Sequence, residues 1–367
     1  MKYYIISGEK SGDMHAAKLV KQLKSLDVEG EFRGWGGDRM EEEGVALAKH
    51  IRETSFMGFL EVAMNLRTIS SFIKYCKSDI KDWDPDVVIL VDYAGFNLKI
   101  AEFTKAQGIK TYYYISPKVW AWNTKRAYKI KRLVDKMFVI MHFEKAFYKK
   151  YDFEVDYVGN PLFDAVAEFS PNANFLEENK LADAKPIVAL LPGSRKQEVK
   201  SILGNMVETA SKFPDYQFVV AGVSELPDEL YKPAKALNLP IVFNQTYDLL
   251  NHSKAALVTS GTATLETALL KVPQVVCYKT GTVSYLIAKN LIQVPYISLV
   301  NLIADKPLVK ELIQAELNAE NLKEELGKVL GKEREKMLKG YEEMIEKIKT
   351  EGASKRTAKL MYGYLTE

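Results

Sequence analysis

Cysteine and histidine are scarce in this chain. Its 367 residues include two cysteines and four histidines. The cysteines, Cys76 and Cys277, lie far apart in the sequence, which favours a reducing cytoplasm. The histidines show no paired ligand spacing, so a structural or catalytic zinc site has little support.

Long apolar runs and a strong net charge are also missing. No window approaches the roughly 18 to 20 uninterrupted apolar residues that a spanning helix needs, and residues 1–7 lack a charged region before a long apolar stretch. We therefore expect any membrane contact to be peripheral. The 51 basic residues nearly balance the 48 acidic ones, and a net charge of +3 is too small to indicate a nucleic-acid partner.

The chain does have enough apolar material for sizeable cores, since 47% of its residues are hydrophobic. Its length suggests about two domains. Short β-rich runs alternate with longer helix-periodic segments, which indicates parallel-sheet α/β units. The predicted strands are 2–7, 87–91 and 111–115 in a first series, and 187–191, 217–221, 241–243, 255–258 and 274–278 in a second. Helices are predicted at 14–26 and 98–107.

The domain boundary is predicted in the poorly periodic stretch 168–185, which is rich in Ser, Pro, Asn, Ala and charge. This linker separates an N-terminal domain, 1–167, from a C-terminal domain, 186–346. After Pro307 the composition turns to Glu, Lys, Leu and Ala with helical spacing, and no further strand is predicted from 333 to 364. These helices are expected to brace the two domains.

A loop with two glycines follows the first predicted strand. Its candidate ligand-facing residues are Gly8, Glu9, Ser11, Gly12 and Asp13. Glycine lets the backbone turn tightly against a ligand. The spacing matches neither the dinucleotide fingerprint nor a P-loop. A plain strand-to-helix turn, with Asp13 near the helix start, is the alternative.

Two loops of the second series suit phosphate. Arg195 follows strand 187–191, where a guanidinium can make bidentate contacts to phosphate oxygens beside a helix start. The loop after strand 255–258 carries small and hydroxyl-bearing residues that suit a diphosphate: Ser260, Gly261, Thr262 and Thr264. Glu266, one turn further, can accept hydrogen bonds from ribose hydroxyls. Ordinary helix capping by the same residues is the alternative.

Strand 87–91 ends in a carboxylate, Asp92. Ligands of open α/β sheets bind at the carboxyl ends of strands. Partial desolvation by Tyr93 and Phe96 can raise the pKa of Asp92 and let it remove a proton from an attacking hydroxyl. A helix cap or a buried turn carboxylate is the alternative.

Two segments are candidates for contact with a membrane. Segment 56–74 is amphipathic with a wide apolar arc that includes Phe56, Met57, Phe59, Leu60 and Met64. Core packing against a sheet is its alternative. In segment 112–136, Trp120 and Trp122 precede six cations, which suits anionic lipid. A solvated helix with two core indoles is the alternative there.

Taken in order, the segments resemble the lipid-A-disaccharide synthase family through most of the chain. The pieces that carry the resemblance are 8–13, 34–37 with Met40, 57–62, Asp92 with 96–97, 114–117 with 119–122, 158–159 with 161–162, 191–195 with Glu198, 260–266, and 298–299 with 301–302. The resemblance is specific because the pieces occur together in this order, and no single motif among them would be enough.

The resemblance implies an α/β fold of GT-B type, with two Rossmann-like domains facing across a cleft and the nucleotide held mainly by the second. The last helix, 347–367, is implied to pack back on the first domain. The implied reaction joins UDP-2,3-diacylglucosamine to 2,3-diacylglucosamine 1-phosphate through a β-1,6 linkage, releases UDP and inverts the anomeric carbon. It would take place peripherally on the cytoplasmic face of the inner membrane, without nucleic acid.

By motif match, the resemblance implies roles for individual residues. Asp92 is the implied base, and Glu266 and Asn301 are implied for the nucleoside or donor sugar. The implied diphosphate residues are Arg195, Ser260, Gly261, Thr262 and Thr264, and loop 8–13 would face the acceptor or the cleft. The two lipids and the inner-membrane surface are the expected partners, no bound metal or other cofactor is expected, and a homodimer is left open.

The chain departs from the family pattern at Lys118, His142, Asn160 and Val300, where glutamine, proline, histidine and proline are usual. None of these removes a proposed charge partner, but Lys118 and Asn160 leave the detailed acceptor contacts open.

Three competing functions stay open at this point. The first is another GT-B transferase, such as one adding N-acetylglucosamine to a lipid-linked peptidoglycan precursor, whose family has a different glycine-rich opening. The second is a UDP-sugar 2-epimerase, which should lack the tryptophan region and the apolar segment. The third is a silent binding module, against which Asp92 together with Arg195 argues.

Overall fold

The computed structural model describes residues 1–54, 66–181, 185–281, 285–286, 294–350 and 352–367. Two compact units make up the chain. The first combines Met1–Pro161 with Thr350–Glu367, and the second is Leu162–Lys349.

The first unit is built on a parallel sheet of seven strands. They are β1 (Lys2–Ser7), β2 (Glu31–Gly36), β3 (Ala46–His50), β4 (Val87–Val91), β5 (Lys110–Tyr114), β6 (Lys136–Val139) and β7 (Asp156–Tyr157), in the order β3-β2-β1-β4-β5-β6-β7. Its helices are Lys10–Leu26, Asp38–Glu42, Ile51–Thr54, Leu66–Trp83, Ala94–Gln107, Val119–Trp122, Arg126–Leu133, His142–Lys149 and Ala353–Thr366. Every residue of β4 is buried, as expected for a strand covered on both faces.

Alternation along the strands divides the core of this unit between the two faces of the sheet. Tyr4 and Ile6 point into one cluster, which Phe72 and Ile73 of the helix Leu66–Trp83 also cover. Tyr3 and Ile5 point into the other, where the helix Ala353–Thr366 contributes Ala358 and Met361. The C-terminal helix is thus part of the first unit's core.

The second unit contains a parallel sheet of six strands. They are β8 (Ile187–Leu191), β9 (Gln217–Gly222), β10 (Ile241–Phe243), β11 (Ser253–Thr259), β12 (Gln274–Tyr278) and β13 (Glu311–Ile313), in the order β10-β9-β8-β11-β12-β13. Its α-helices are Pro161–Ala167, Phe175–Glu178, Lys196–Ala210, Lys232–Ala236, Thr246–Asn251, Thr262–Leu269, Leu299–Ala304, Ala319–Leu330 and Arg334–Ile348. The first of these helices begins at Pro161, the residue at the boundary between the two units. Asp228–Tyr231 and Gln314–Glu316 are 3₁₀ turns. Residues 168–181 of the predicted linker lie in this unit, and Phe175 is buried in its core.

The α/β fold with two parallel sheets is confirmed, and all eight predicted strands are present to within a few residues. Five further strands, β2, β3, β6, β7 and β13, were not predicted. Four of them are short or lie at an edge of the sheet. The fifth, β2, contains Gly34, where a Cβ would lie 1.8 Å from the carbonyl oxygen of Ile5, and a glycine inside a strand weakens the local strand pattern. The first helix begins at Lys10 rather than at residue 14, so Ser11, Gly12 and Asp13 form its first turn.

Both sheets reverse their strand order at one place, between β1 and β4 in the first and between β8 and β11 in the second. Ligands of doubly wound folds bind outside the carboxyl ends of the strands at such a switch point. The loops that follow these four strands are therefore the candidate site of each unit.

Candidate functional site

In the first unit, the switch point brings the glycine loop after β1 against the loop after β4. A Cβ on Gly8 would lie 2.3 Å from the ring of Tyr93, and one on Gly12 would lie 2.7 Å from the Oγ of Ser7. Glycine at position 8 allows the two loops to approach this closely, and glycine at position 12 allows the first turn of the helix to lie against the end of β1. Glu9 and Ser11, both partly exposed, lie at the start of the helix that follows.

Asp92 lies at the carboxyl end of β4 in a backbone conformation that favours glycine. Its φ is 47°, and the φ of Tyr93 is also 47°. At the end of the neighbouring β5, Ile115 has a φ of 63°, which is rare for a β-branched side chain. Strained backbone of this kind concentrates at functional sites. The Asp92 side chain is partly exposed at this edge.

The carboxylate of Asp13, in contrast, is turned inward. Its Oδ1 accepts hydrogen bonds from the backbone N–H of Gly37 at 2.6 Å and of Met40 at 3.2 Å, and its Oδ2 accepts one from Arg39 at 3.1 Å. Asp13 is 4% exposed. It therefore ties the loop after β1 to the start of the helix Asp38–Glu42, a contact that sequence spacing does not reveal.

A buried carboxylate that the sequence analysis missed organises the loop after β5. Glu144 accepts hydrogen bonds from the Oγ of Ser116 at 2.7 Å and the Nε1 of Trp120 at 3.1 Å, and from two backbone N–H groups. Burial raises its pKa, against the effect of these donors. Trp120 is thus a core indole, whereas Trp122 is exposed with the Arg126 guanidinium 4.5 Å from its ring centroid.

Three of the family departures lie in this part of the first unit. Lys118 is exposed and precedes the helix Val119–Trp122. Asn160 is 2% exposed, and its Nδ2 lies 3.8 Å from the sulfur of Met141. His142 begins the helix that carries Glu144 and is exposed.

In the second unit, Arg195 follows β8 and its side chain is about half exposed. Gly193 takes a φ of 112°, and a Cβ there would meet the Glu198 carboxylate. The Oε2 of Glu198 accepts hydrogen bonds from the N–H of Ser194 at 3.1 Å and of Arg195 at 3.2 Å. The carboxylate of this family-motif residue therefore shapes the loop that presents Arg195.

The four small residues after β11 have different surroundings. The Oγ of Ser260 donates to the carbonyl of Ile297 at 2.8 Å, and the Oγ1 of buried Thr264 donates to the carbonyl of Gly261 at 2.8 Å. Thr262 is exposed, and none of the described residues lies within 4 Å of a Cβ placed on Gly261. Gly261 and Thr262, at the start of the helix Thr262–Leu269, thus border open space, while Ser260 and Thr264 fix the turn.

Glu266 has a partner that sequence reasoning missed. The hydroxyl of Tyr247 donates to its Oε1 at 2.7 Å. Burial raises the pKa of Glu266, and the Tyr247 hydrogen bond acts in the opposite direction. Burial and the neighbouring carboxylate also raise the pKa of Tyr247, which keeps its hydroxyl protonated. The pair is 19 residues apart in sequence, so no local pattern indicates it.

The side chain of Asn301 is engaged inside the second unit. Its Nδ2 donates to the carbonyl of Val309 and to the Oε1 of Glu311, both at 2.9 Å, and its Oδ1 accepts from the N–H of Val309 at 2.9 Å. Asn301 is 1% exposed, and Val300 beside it is fully buried. Its amide therefore holds the segment before β13 in place.

The predicted membrane residues Phe56, Met57, Phe59, Leu60 and Met64 lie outside the described residues. Within the described ranges, no helix combines the length and the apolar character needed to cross a membrane. The described residues also contain no group of three or more His, Cys, Asp or Glu side chains that could hold a metal ion.

Comparison with known proteins assigns the family. A family model described as lipid-A-disaccharide synthetase matches residues 3–362. The lipid-A-disaccharide synthase of Geobacter sulfurreducens is 36% identical over 363 residues, which cover 96% of this chain and 94% of the relative.

Two solved structures share the fold at low sequence identity. One is the UDP-GlcNAc 2-epimerase from Neisseria meningitidis bound to UDP-GlcNAc, with a TM-score of 0.65, 16% identity and 100% coverage of both chains. The other is the calicheamicin glycosyltransferase CalG4, with a TM-score of 0.60 and 15% identity, covering 100% of this chain and 98% of that one. The predicted GT-B type fold is thereby confirmed. Because the family model spans almost the whole chain and the curated relative aligns along nearly its full length, the chain belongs to the lipid-A-disaccharide synthase family and is a glycosyltransferase of lipid A biosynthesis.

Proposed function

We propose that this glycosyltransferase joins UDP-2,3-diacylglucosamine to 2,3-diacylglucosamine 1-phosphate through a β-1,6 linkage, releasing UDP and inverting the anomeric carbon. Lipid A precursors are the substrates that family membership implies. One observation carries the finer proposal: each sheet has a reactive side chain at its own switch point, Asp92 after β4 and Arg195 after β8.

Asp92 acts as the general base in this scheme. The acceptor 6-hydroxyl attacks the anomeric carbon, its proton passes to the Asp92 carboxylate, and the bond from that carbon to UDP breaks on the opposite face. Attack opposite the leaving group inverts the configuration in a single step. The transition state has oxocarbenium character, as in other glycosyl transfers. A positioned base contributes typically about 10²- to 10⁴-fold to such a step.

The departing UDP carries the negative charge that develops, and the loops after β8 and β11 are suited to receive it. The Arg195 guanidinium can bind diphosphate oxygens through two parallel N–H groups. The start of the helix Thr262–Leu269, with Gly261 and Thr262 beside open space, adds N–H groups and the favourable end of the helix dipole.

The nucleoside is assigned to Glu266, whose carboxylate can accept hydrogen bonds from ribose hydroxyls. Its Oε1 already accepts from Tyr247, which leaves Oε2 for the nucleoside. Ser260, Thr264 and Asn301 then act indirectly, because their side chains fix the turn and the segment before β13. On the acceptor side, Glu9 and Ser11 are the partly exposed members of the loop after β1.

We further propose that the protein attaches peripherally to the cytoplasmic face of the inner membrane. The apolar segment that includes Phe56 and Phe59 supports this, since both substrates carry acyl chains that must leave a lipid surface to react. Flotation of the protein with anionic vesicles tests it. Phe59→Glu should reduce the floated fraction, and an unchanged fraction would remove this segment from the proposal.

Product analysis tests the reaction itself. The purified protein is incubated with both lipids in detergent, and the lipid product is examined by mass spectrometry and NMR. We expect a disaccharide monophosphate with a β-1,6 linkage. An α-configured product would exclude inversion, and a linkage through another hydroxyl would exclude the assigned acceptor position.

A further inference from the structure

The peptide bond that follows Asp92 is held by two side chains from outside its own loop. The carbonyl oxygen of Asp92 accepts a hydrogen bond from the hydroxyl of Tyr113 and another from the Nδ2 of Asn97 at 2.8 Å. The N–H of Asp92 donates to the carbonyl of Tyr114 at 3.2 Å. Both polar ends of this residue's backbone are therefore fixed by β5 and by the helix Ala94–Gln107.

The two donors are completely buried. Tyr113 and Asn97 each have 0% exposure, and the Tyr113 ring packs in the core cluster with Leu90 and Val119. The Asn97 Nδ2 also lies 3.3 Å from the carbonyl of Val91. Burial and the nearby Asp92 raise the pKa of Tyr113 far above physiological pH, so its hydroxyl remains a donor.

These bonds act on a backbone conformation that needs support. Asp92 and Tyr93 both have left-handed φ values of 47°, which cost free energy for residues other than glycine. Without the bonds to its carbonyl, the Asp92 peptide would relax toward a commoner conformation, and the Cα–Cβ direction would swing with it. A displacement of about 1 Å at a reacting group can cost about 10²-fold in rate.

We propose that Tyr113 and Asn97 are positioning residues for the transfer reaction: they hold the left-handed backbone of Asp92 and thereby aim its carboxylate at the acceptor hydroxyl. Neither residue touches substrate in this account. The inference rests on the proposed role of Asp92 as the base. It gives Asn97, which belongs to the family-like piece 96–97, and Tyr113, which precedes the piece 114–117, a role that no motif match assigned.

The test removes one hydroxyl group. Tyr113→Phe keeps the ring in the core and deletes the donor, so kcat should fall about 10- to 100-fold while the KM for the UDP-sugar stays unchanged. Asn97→Asp, which removes the second donor at nearly constant volume, should also lower kcat. Tyr112→Phe is the matched control, because Tyr112 is the preceding residue of the same strand and packs on the opposite face of the sheet. It should leave kcat unchanged.

A double-mutant cycle separates positioning from general destabilisation. In an Asp92→Asn background, Tyr113→Phe should cause no further loss of kcat, because no carboxylate remains to be aimed. The proposal would be overturned if Tyr113→Phe lowered kcat by the same factor in the wild-type and the Asp92→Asn backgrounds. It would also be overturned if Tyr113→Phe kept the wild-type kcat while Asp92→Asn was impaired. Full activity of Asp92→Asn would instead refute the base assignment itself.

Discussion

Gly8 lies directly against the ring of Tyr93, so close that a Cβ atom on Gly8 would come within 2.3 Å of it. This contact joins the loop after β1 to the loop after β4 and sets the distance between the predicted acceptor loop and Asp92. The absence of a side chain at residue 8 is thus a requirement of the site's geometry.

We expect Gly8→Ala to push the Tyr93 ring away and to lower kcat about tenfold or more, since Asp92 precedes Tyr93 in the chain. Gly95→Ala is the control, because in the part of the chain that the structure describes no atom lies within 4 Å of a Cβ at that glycine. Initial rates of UDP release compare the two. Equal rates would mean that the Gly8 contact does not position the site.

Asp92→Asn should abolish most transfer while leaving the affinity for UDP near its normal value. Asparagine keeps the size of the side chain but cannot take the proton of the attacking hydroxyl. Single-turnover rates and calorimetric titration with UDP measure the two quantities separately. Retention of full activity would end the assignment of Asp92 as the base.

Arg195→Ala should weaken UDP binding about 10- to 100-fold, because charge-assisted hydrogen bonds to the diphosphate are lost. Lys196→Ala removes a positive charge from the next, also exposed, residue and should change the affinity little. If the two variants bind UDP equally well, a directed contact from Arg195 to phosphate has to be abandoned.

Tyr247→Phe should make nucleotide binding more sensitive to acid. Burial raises the pKa of Glu266, and the Tyr247 hydroxyl counteracts that rise, so its removal lifts the pKa further. The proposed ribose contact needs the ionised carboxylate, so we expect affinity to be lost as the pH falls through this pKa. The loss should begin at higher pH in the variant than in the wild type.

Dissociation constants for UDP measured from acidic to neutral pH provide the comparison. The phosphate groups of UDP titrate in the same way in both experiments, so their effect on affinity cancels when the variant is compared with the wild type. Tyr216→Phe, in the same unit, serves as the control for loss of a tyrosine hydroxyl. Superimposable pH profiles for Tyr247→Phe and wild type would remove Tyr247 from the nucleotide site.

Local pattern was enough to predict the central strands and the loops at both switch points. Strands such as Val87–Val91 are continuous apolar runs, and the residue types that follow them mark the loops. Edge strands such as β7, two residues long, have no such run. They form because a neighbouring strand offers a partner, which is a property of the folded sheet.

The supporting residues of the site were beyond local pattern for the same reason. Tyr113 reaches the Asp92 carbonyl because β4 and β5 pair in a register that sets Val91 beside Tyr114. Tyr247 reaches Glu266 across two helices, and Asp13 finds its amide partners 24 to 27 residues away. Residue type and spacing indicate candidate chemistry, but the contacts that orient it depend on tertiary structure.

Transfer of a diacylglucosaminyl group from UDP to a lipid acceptor is the reaction that we propose for this protein. The most direct measurement is UDP release from UDP-2,3-diacylglucosamine with and without 2,3-diacylglucosamine 1-phosphate in detergent, together with the mass of the lipid product. We predict release that requires both lipids and a disaccharide 1-phosphate as product. No product under conditions where an established synthase is active would contradict the account and would point to another UDP-sugar and another lipid acceptor.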